Sequence, residues 1–151
     1  MKIFAPLCCI GSMLICPPTL AYHCSVSATP LSFGRVEGRP GQVTRSTATL
    51  TVVCQSDGSA ANVSYRLLSD TSSMREKTML GGNGTASYQL YTSGSYQQVW
   101  GDSEGSAISD SYTLPANTSH TRVYTVYARM QPGLRVGPGQ YTAISGVLLI
   151  Y

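Results

Sequence analysis

The chain has 151 residues, 10 Lys and Arg against 7 Asp and Glu, a formal net charge of +3 and only 11% charged residues. That length suits one domain with a real core, and the sparse charge supplies no basic stripe of the kind that meets nucleic-acid phosphates. A hydrophobic share of 42% and 10 tyrosines exclude a disordered chain, while 15 Gly and 8 Pro point to many turns between short strands.

The chain opens with Lys2, an apolar stretch over 3–15, and then Thr19-Leu20-Ala21. A basic start, an apolar centre and small residues at the end predict a secretory signal over 1–21 and a mature domain over 22–151. A membrane anchor would need roughly 20 apolar residues, and Pro17 and Pro18 break the run. A lipoprotein anchor needs a small residue before its cysteine, whereas Cys9 follows Cys8 and Cys16 follows Ile15. The expectation is export without stable membrane insertion.

Cys8, Cys9 and Cys16 leave with the signal, so Cys24 and Cys54 remain. Two cysteines in an oxidising compartment predict one disulfide. Closing a loop of about 30 residues would contribute roughly 3–4 kcal/mol by restricting the unfolded chain. A metal site competes poorly, because there is no CxxC pair and no histidine cluster.

Beyond Cys24 the apolar residues alternate. Ala48, Leu50, Val52 and Cys54 share one face of a strand whose other face is mostly Thr. Val63, Tyr65 and Leu67 repeat the pattern, as do Ala86, Tyr88 and Leu90, with Ser87 and Gln89 expected outward. Tyr124, Val126, Ala128 and Met130 make another inward row, and Tyr91 and Tyr96 are the tyrosines expected at the surface, where they could meet a sugar. Turn clusters separate these runs at Gly38-Arg39-Pro40-Gly41, Ser56-Asp57-Gly58, Gly81-Gly82-Asn83-Gly84, Gly101-Asp102-Ser103-Glu104-Gly105, Gln131-Pro132-Gly133 and Gly137-Pro138-Gly139. No stretch carries helical periodicity. The expected fold is all-β, a single immunoglobulin-like β-sandwich.

Little here could support catalysis. Gly101-Asp102-Ser103-Glu104-Gly105 is similar to the segment around a serine-protease nucleophile, but a triad needs a histidine held by a carboxylate. Of the two histidines, His23 lies at the mature terminus and His120 follows the serine, whereas the chymotrypsin-like order puts histidine first. An acidic turn is expected instead. Gly81-Gly82-Asn83-Gly84 lacks the lysine and helix of a phosphate loop and predicts a tight hairpin. No cofactor and no metal are expected. The sequons at Asn62, Asn83 and Asn117 would matter only in a eukaryotic host.

The final segment, 139–151, ends in Val147, Leu148, Leu149, Ile150 and Tyr151, consecutive residues whose two faces both call for burial. Such a strand belongs between two neighbours, and left at an edge it would be an aggregation site. Either an earlier strand of this chain covers it, or a strand from another protein does.

Cys24-Ser25-Val26-Ser27-Ala28 leads to Leu31-Ser32-Phe33-Gly34, and Leu50-Thr51-Val52-Val53-Cys54 closes a Thr/Val strand. Tyr88-Gln89-Leu90-Tyr91-Thr92, Val99-Trp100-Gly101-Asp102, Tyr127-Ala128-Arg129 and Pro138-Gly139-Gln140-Tyr141 follow before a terminal apolar strand. This order of landmarks resembles the spore coat U domain family, shared with subunits of archaic chaperone–usher pili. Two positions depart from the pattern: Ala128 stands where glycine is usual, and Ala143 where an acidic residue is common.

That resemblance implies a sandwich lacking its last strand, supplied first by a periplasmic pilus chaperone and then by a neighbouring pilus subunit at an outer-membrane usher. It implies passage through the periplasm to the cell surface, adhesion or biofilm roles, and a basic chaperone residue held by the Tyr151 carboxylate. With Tyr22 and His23 alone before Cys24, the mature chain would accept a strand but not give one, which implies a place at a chain end or a non-polymerising coat or surface protein. The alternative is a self-sufficient secreted β-sandwich that binds carbohydrate or a surface.

Overall fold

A computed structural model of the chain describes residues 21–37, 39, 41–70, 77–81, 84–130, 137–143 and 145–151. The predicted secretory segment therefore lies outside the described residues except for Ala21, as do the turn at 131–133 and parts of those at 38–41 and 81–84. The strands are β1 (Tyr22–Ala28), β2 (Leu31–Val36), β3 (Thr44–Ser56), β4 (Ala61–Ser69), β5 (Lys77–Gly81), β6 (Gly84–Tyr91), β7 (Ile108–Leu114), β8 (Ser119–Met130), β9 (Gly139–Ala143) and β10 (Val147–Ile150). Among the described residues the one helical element is a single 3-10 turn, Glu104–Ser106, in the segment predicted as an acidic turn.

Seven strands form one antiparallel sheet in the order β1-β3-β8-β6-β5-β9-β2, and three form a second in the order β10-β4-β7. The predicted alternation is what lets the two sheets pack. Ala48, Leu50, Val52 and Cys54 of β3, Val63, Tyr65 and Leu67 of β4, and Ala86, Tyr88 and Leu90 of β6 are all buried. Val126, Ala128 and Met130 of β8 join them, with Tyr124 half-buried at the end of the row. These side chains from both sheets meet in one core that includes Phe33, Trp100, Leu114 and Tyr141, so the domain is an all-β sandwich. Trp100 donates its indole N–H to the Leu67 carbonyl at 3.0 Å, which satisfies a donor that burial would otherwise strand.

Cys24 and Cys54 face each other in the β1–β3 ladder and form the expected disulfide. Among the described residues Gly81 makes the one pairing of β5 with β9, opposite Tyr141. A Cβ there would lie 2.7 Å from the Tyr141 ring, so only glycine allows the approach.

Two surface expectations fail. Tyr91 is 5% exposed rather than solvent-facing. The chain after β6 folds back on itself, with Tyr91 bridged to Val99 and the Thr92 N–H bonded to the Gln98 carbonyl at 2.9 Å. This return lays the half-buried Tyr96 ring on Tyr91, centroids 5.3 Å apart. Gln89, expected outward, is also buried, because β6 lies inside the sheet and Gln89 stands opposite the long Arg129 side chain of β8. Alternation identifies the face of a residue, not what neighbouring side chains and loops lay over it.

Candidate functional site

β10 is where the backbone is incompletely paired. It is held on one side by β4, in the register Val147↔Ser69, Leu148↔Leu68, Leu149↔Leu67 and Ile150↔Arg66. Among the described residues no strand pairs with its other edge. Val147 and Leu149 pack against the core, whereas Leu148 and Ile150 are 54% and 39% exposed and Tyr151 is exposed beyond them. Of the two expected coverings, an earlier strand of this chain is not seen among the described residues: β10 is an edge strand with one face on the core and one in solvent. Its single neighbour covers one flank and shields neither outward side chain. β9, a few residues earlier, is flanked by both β2 and β5.

β10 comes into contact with β1, one of the two edge strands of the large sheet. At one end the Tyr22 and Tyr151 rings touch, with centroids 5.9 Å apart. At the other end the sandwich opens into an apolar cleft of about 270 Å³. The β1–β2 corner (Ala28, Pro30, Leu31) and the β9–β10 corner (Ala143, Val147) wall it, and Leu50, Leu90, Trp100 and Val126 form its floor. A cavity of ~150 Å³ takes up a benzene molecule, so this one has room for about two large apolar side chains.

Both walls are pinned. Thr29 donates its backbone N–H to the Thr49 carbonyl at 2.9 Å and accepts the Thr49 N–H on its hydroxyl at 2.8 Å. At the opposite wall, Asp70 accepts the Gly146 N–H at 2.8 Å and donates its own backbone N–H to the Gly146 carbonyl at 3.1 Å. The buried Lys77 ammonium bonds Asp70 at 2.7 Å and the Ser145 hydroxyl at 2.5 Å. This clasp orients the start of β10, and reading the sequence missed it. Its members lie on three separate segments, with no local motif to join them.

Elsewhere the polar groups act as struts. The Tyr65 and Tyr124 hydroxyls lie 2.6 Å apart, and Tyr124 donates to Asp110 at 2.7 Å, linking β4, β8 and β7. Burial, reinforced by hydrogen bonding to Tyr65 and Asp110, pushes the Tyr124 phenol far above its ordinary range. Burial also raises Tyr65. Ser103 bonds the Ser106 hydroxyl at 2.7 Å, while the neighbouring Glu104 takes Arg66 at 2.9 Å. His23 stands 3.6 Å from Asp57 and His120 lies against the Tyr112 ring, so the predicted motif residues are dispersed among structural contacts. Among the described residues no group of three metal-ligating side chains gathers, and no helix is long and apolar enough to cross a membrane.

A search of the curated proteins finds no match to this chain. The family model described as the Spore Coat Protein U domain matches residues 10–147, most of the chain. That family is associated with exported pilus or surface-coat subunits and is structural rather than enzymatic. The sandwich, the Cys24–Cys54 bond and this match agree, and the chain belongs to the Spore Coat Protein U domain family.

Proposed function

We propose that the chain is an exported structural subunit of a bacterial chaperone–usher pilus or surface coat, completed by a β-strand that another protein lays along β10. The observation that carries this reading is the free edge of β10 beside an apolar cleft whose walls are already pinned. A visiting strand would pair its backbone with the open N–H and C=O groups of Val147, Leu148, Leu149 and Ile150, the recognition mode of strand addition. Its inward side chains would enter the cleft. Burying about two aliphatic side chains contributes roughly 3–6 kcal/mol, enough to matter to a domain of this size. Tyr151, with its ring against Tyr22, lies at the far end of this track. The periplasmic chaperone supplies the strand first. A neighbouring subunit replaces it at the outer-membrane usher, so the edge is never left open to aggregation.

The test is to compare the exported domain alone, the domain with its periplasmic chaperone, and a version carrying an apolar strand appended after Tyr151 through a short turn. The domain alone is expected to aggregate or to melt without cooperativity, and both additions are expected to give a cooperative monomer. A domain that folds alone as a stable monomer, and gains nothing from the appended strand, overturns the reading.

A further inference from the structure

A second site stands apart from β10, on the outer face of the large sheet. Arg45 of β3 and Arg129 of β8 are direct cross-strand partners, a like-charge pairing that sheets normally avoid. Among the described residues neither forms an ion pair with a carboxylate, although Arg39, Arg66, Arg122 and Lys77 all do. Aromatic rings hold both guanidiniums instead. Arg45 lies 5.1 Å from the Tyr96 centroid, and Arg129 lies 5.5 Å from Tyr91 and 5.9 Å from Tyr96. Stacking on a ring fixes a guanidinium plane while leaving its in-plane N–H donors open. The Arg129 Nε is buried and has no hydrogen-bond partner among the described residues.

The loop that carries Tyr96 is held in an unusual conformation. Tyr96 has φ +58°, a left-handed value that bulky residues seldom adopt and that tends to mark functional positions. Gly94 lets the loop pass over Tyr127, since a Cβ there would sit 3.2 Å from that ring. Tyr127 in turn packs against Tyr96 at 6.2 Å and lines an open groove of about 510 Å³. The groove exists because β6 pairs only with Tyr127, Ala128, Arg129 and Met130 of β8, so the sheet edge beside Thr125 is uncovered. Thr92, Gln98, Ser109 and Thr125 offer hydroxyl and amide groups along it.

We infer that the 92–98 loop and the outer face of β8 bind an acidic saccharide, its hydroxyls along the Thr92–Gln98 groove and its carboxylate or sulfate between Arg45 and Arg129. Hydroxyl and amide groups both donate and accept, as a polyol requires, tyrosine rings suit the apolar face of a sugar, and a guanidinium pair suits a planar or tetrahedral oxyanion. A plain acidic peptide would use the arginines and leave the neutral groove idle. The groove shares no lining residue with the cleft beside β10, so this inference does not rest on strand acceptance.

The test titrates the folded exported chain, alone or held by its chaperone, with hexagalacturonate, a heparin hexasaccharide, maltohexaose and hexaglutamate. At least one acidic hexasaccharide is expected to bind, and the stronger of the two identifies the anion. Maltohexaose and hexaglutamate should bind at least about tenfold more weakly, and Arg45→Gln should weaken the acidic sugar by about tenfold or more. Arg45 is exposed, so its replacement should leave the melting temperature unchanged. Thr92→Val should weaken the saccharide several-fold without altering the response to hexaglutamate. Absence of binding to both acidic sugars, equal binding of hexaglutamate, or undiminished binding by Arg45→Gln overturns the inference.

Discussion

β3 runs between two partners, β1 on one side and β8 on the other, whereas among the described residues β10 has only β4. β3 alternates Thr with buried residues, whereas β10 is apolar at every position. In β3 the pattern matches the surroundings: one face is core, the other is wet, and both edges are paired. β10 has more apolar surface than its own chain covers. On the proposed reading, the contrast separates strands paired on both edges, which hold the domain together, from the edge offered to another molecule. β3 is paired with β1 and β8, and among the described residues pairing stops at β10.

Four measurements would break or sharpen that contrast. The largest effect should come from replacing Cys24 and Cys54 together with Ala, which frees β1 from β3. Closure of a loop of about 30 residues predicts a loss of roughly 3–4 kcal/mol in urea unfolding. A loss below about 1 kcal/mol would mean that the ladder alone secures β1.

Next, Leu50→Ala empties a site that is 2% exposed in the middle of β3, and should cost about 3 kcal/mol. Because Leu50 also floors the cleft beside β10, an appended strand should recover part of that loss.

Smaller again is the strut between the sheets. The folded-state pKa of Tyr124 is raised above its unfolded value by burial and by its bonds to Tyr65 and Asp110, so its contribution is fully present below about pH 10 and is lost as pH rises past that value. Tyr65, raised by burial, acts in the same direction. Unfolding free energy should therefore be insensitive to these phenols at neutral pH and fall in alkali. Tyr124→Phe should cost about 1–2 kcal/mol at pH 7 and flatten the alkaline fall. An unchanged alkaline slope in that variant would remove Tyr124 from the explanation.

The smallest effect on stability is expected at β10. Leu148→Ser, at a side chain 54% exposed, should stay within about 0.5 kcal/mol of the parent. The same change should weaken capture by the periplasmic chaperone. If it destabilises the domain as much as Leu50→Ala does, then β10 belongs to the domain's own core and not to an interface.

The inward rows of β3, β4, β6 and β8 were legible in the sequence because a strand's side-chain period is two and each row is built from neighbouring residues. The disulfide was legible for a different reason: only two cysteines lie beyond the segment read as a secretory signal. Tyr91 and Gln89 were misread, since their burial depends on the return of the 92–98 loop and on Arg129, which no local pattern announces. The clasp of Asp70, Lys77 and Ser145 and the facing of Arg45 and Arg129 were invisible for the same reason. Each joins residues far apart in the chain. For β10 the unusual apolar run was plain and raised the prospect of an open edge, but which strand of this chain would pair with it was not legible.

Read alone, the amino-acid order determined that this chain folds as strands, which residues point inward, and that Cys24 and Cys54 pair. Those properties follow from local periodicity and from composition. The tertiary structure decided which strand edges stay open, where a cleft lies beside β10, and which distant charges share a surface. Pairing and packing are settled between segments far apart in the chain, by the order in which two sheets stack, and a repeat of two residues carries no record of that order.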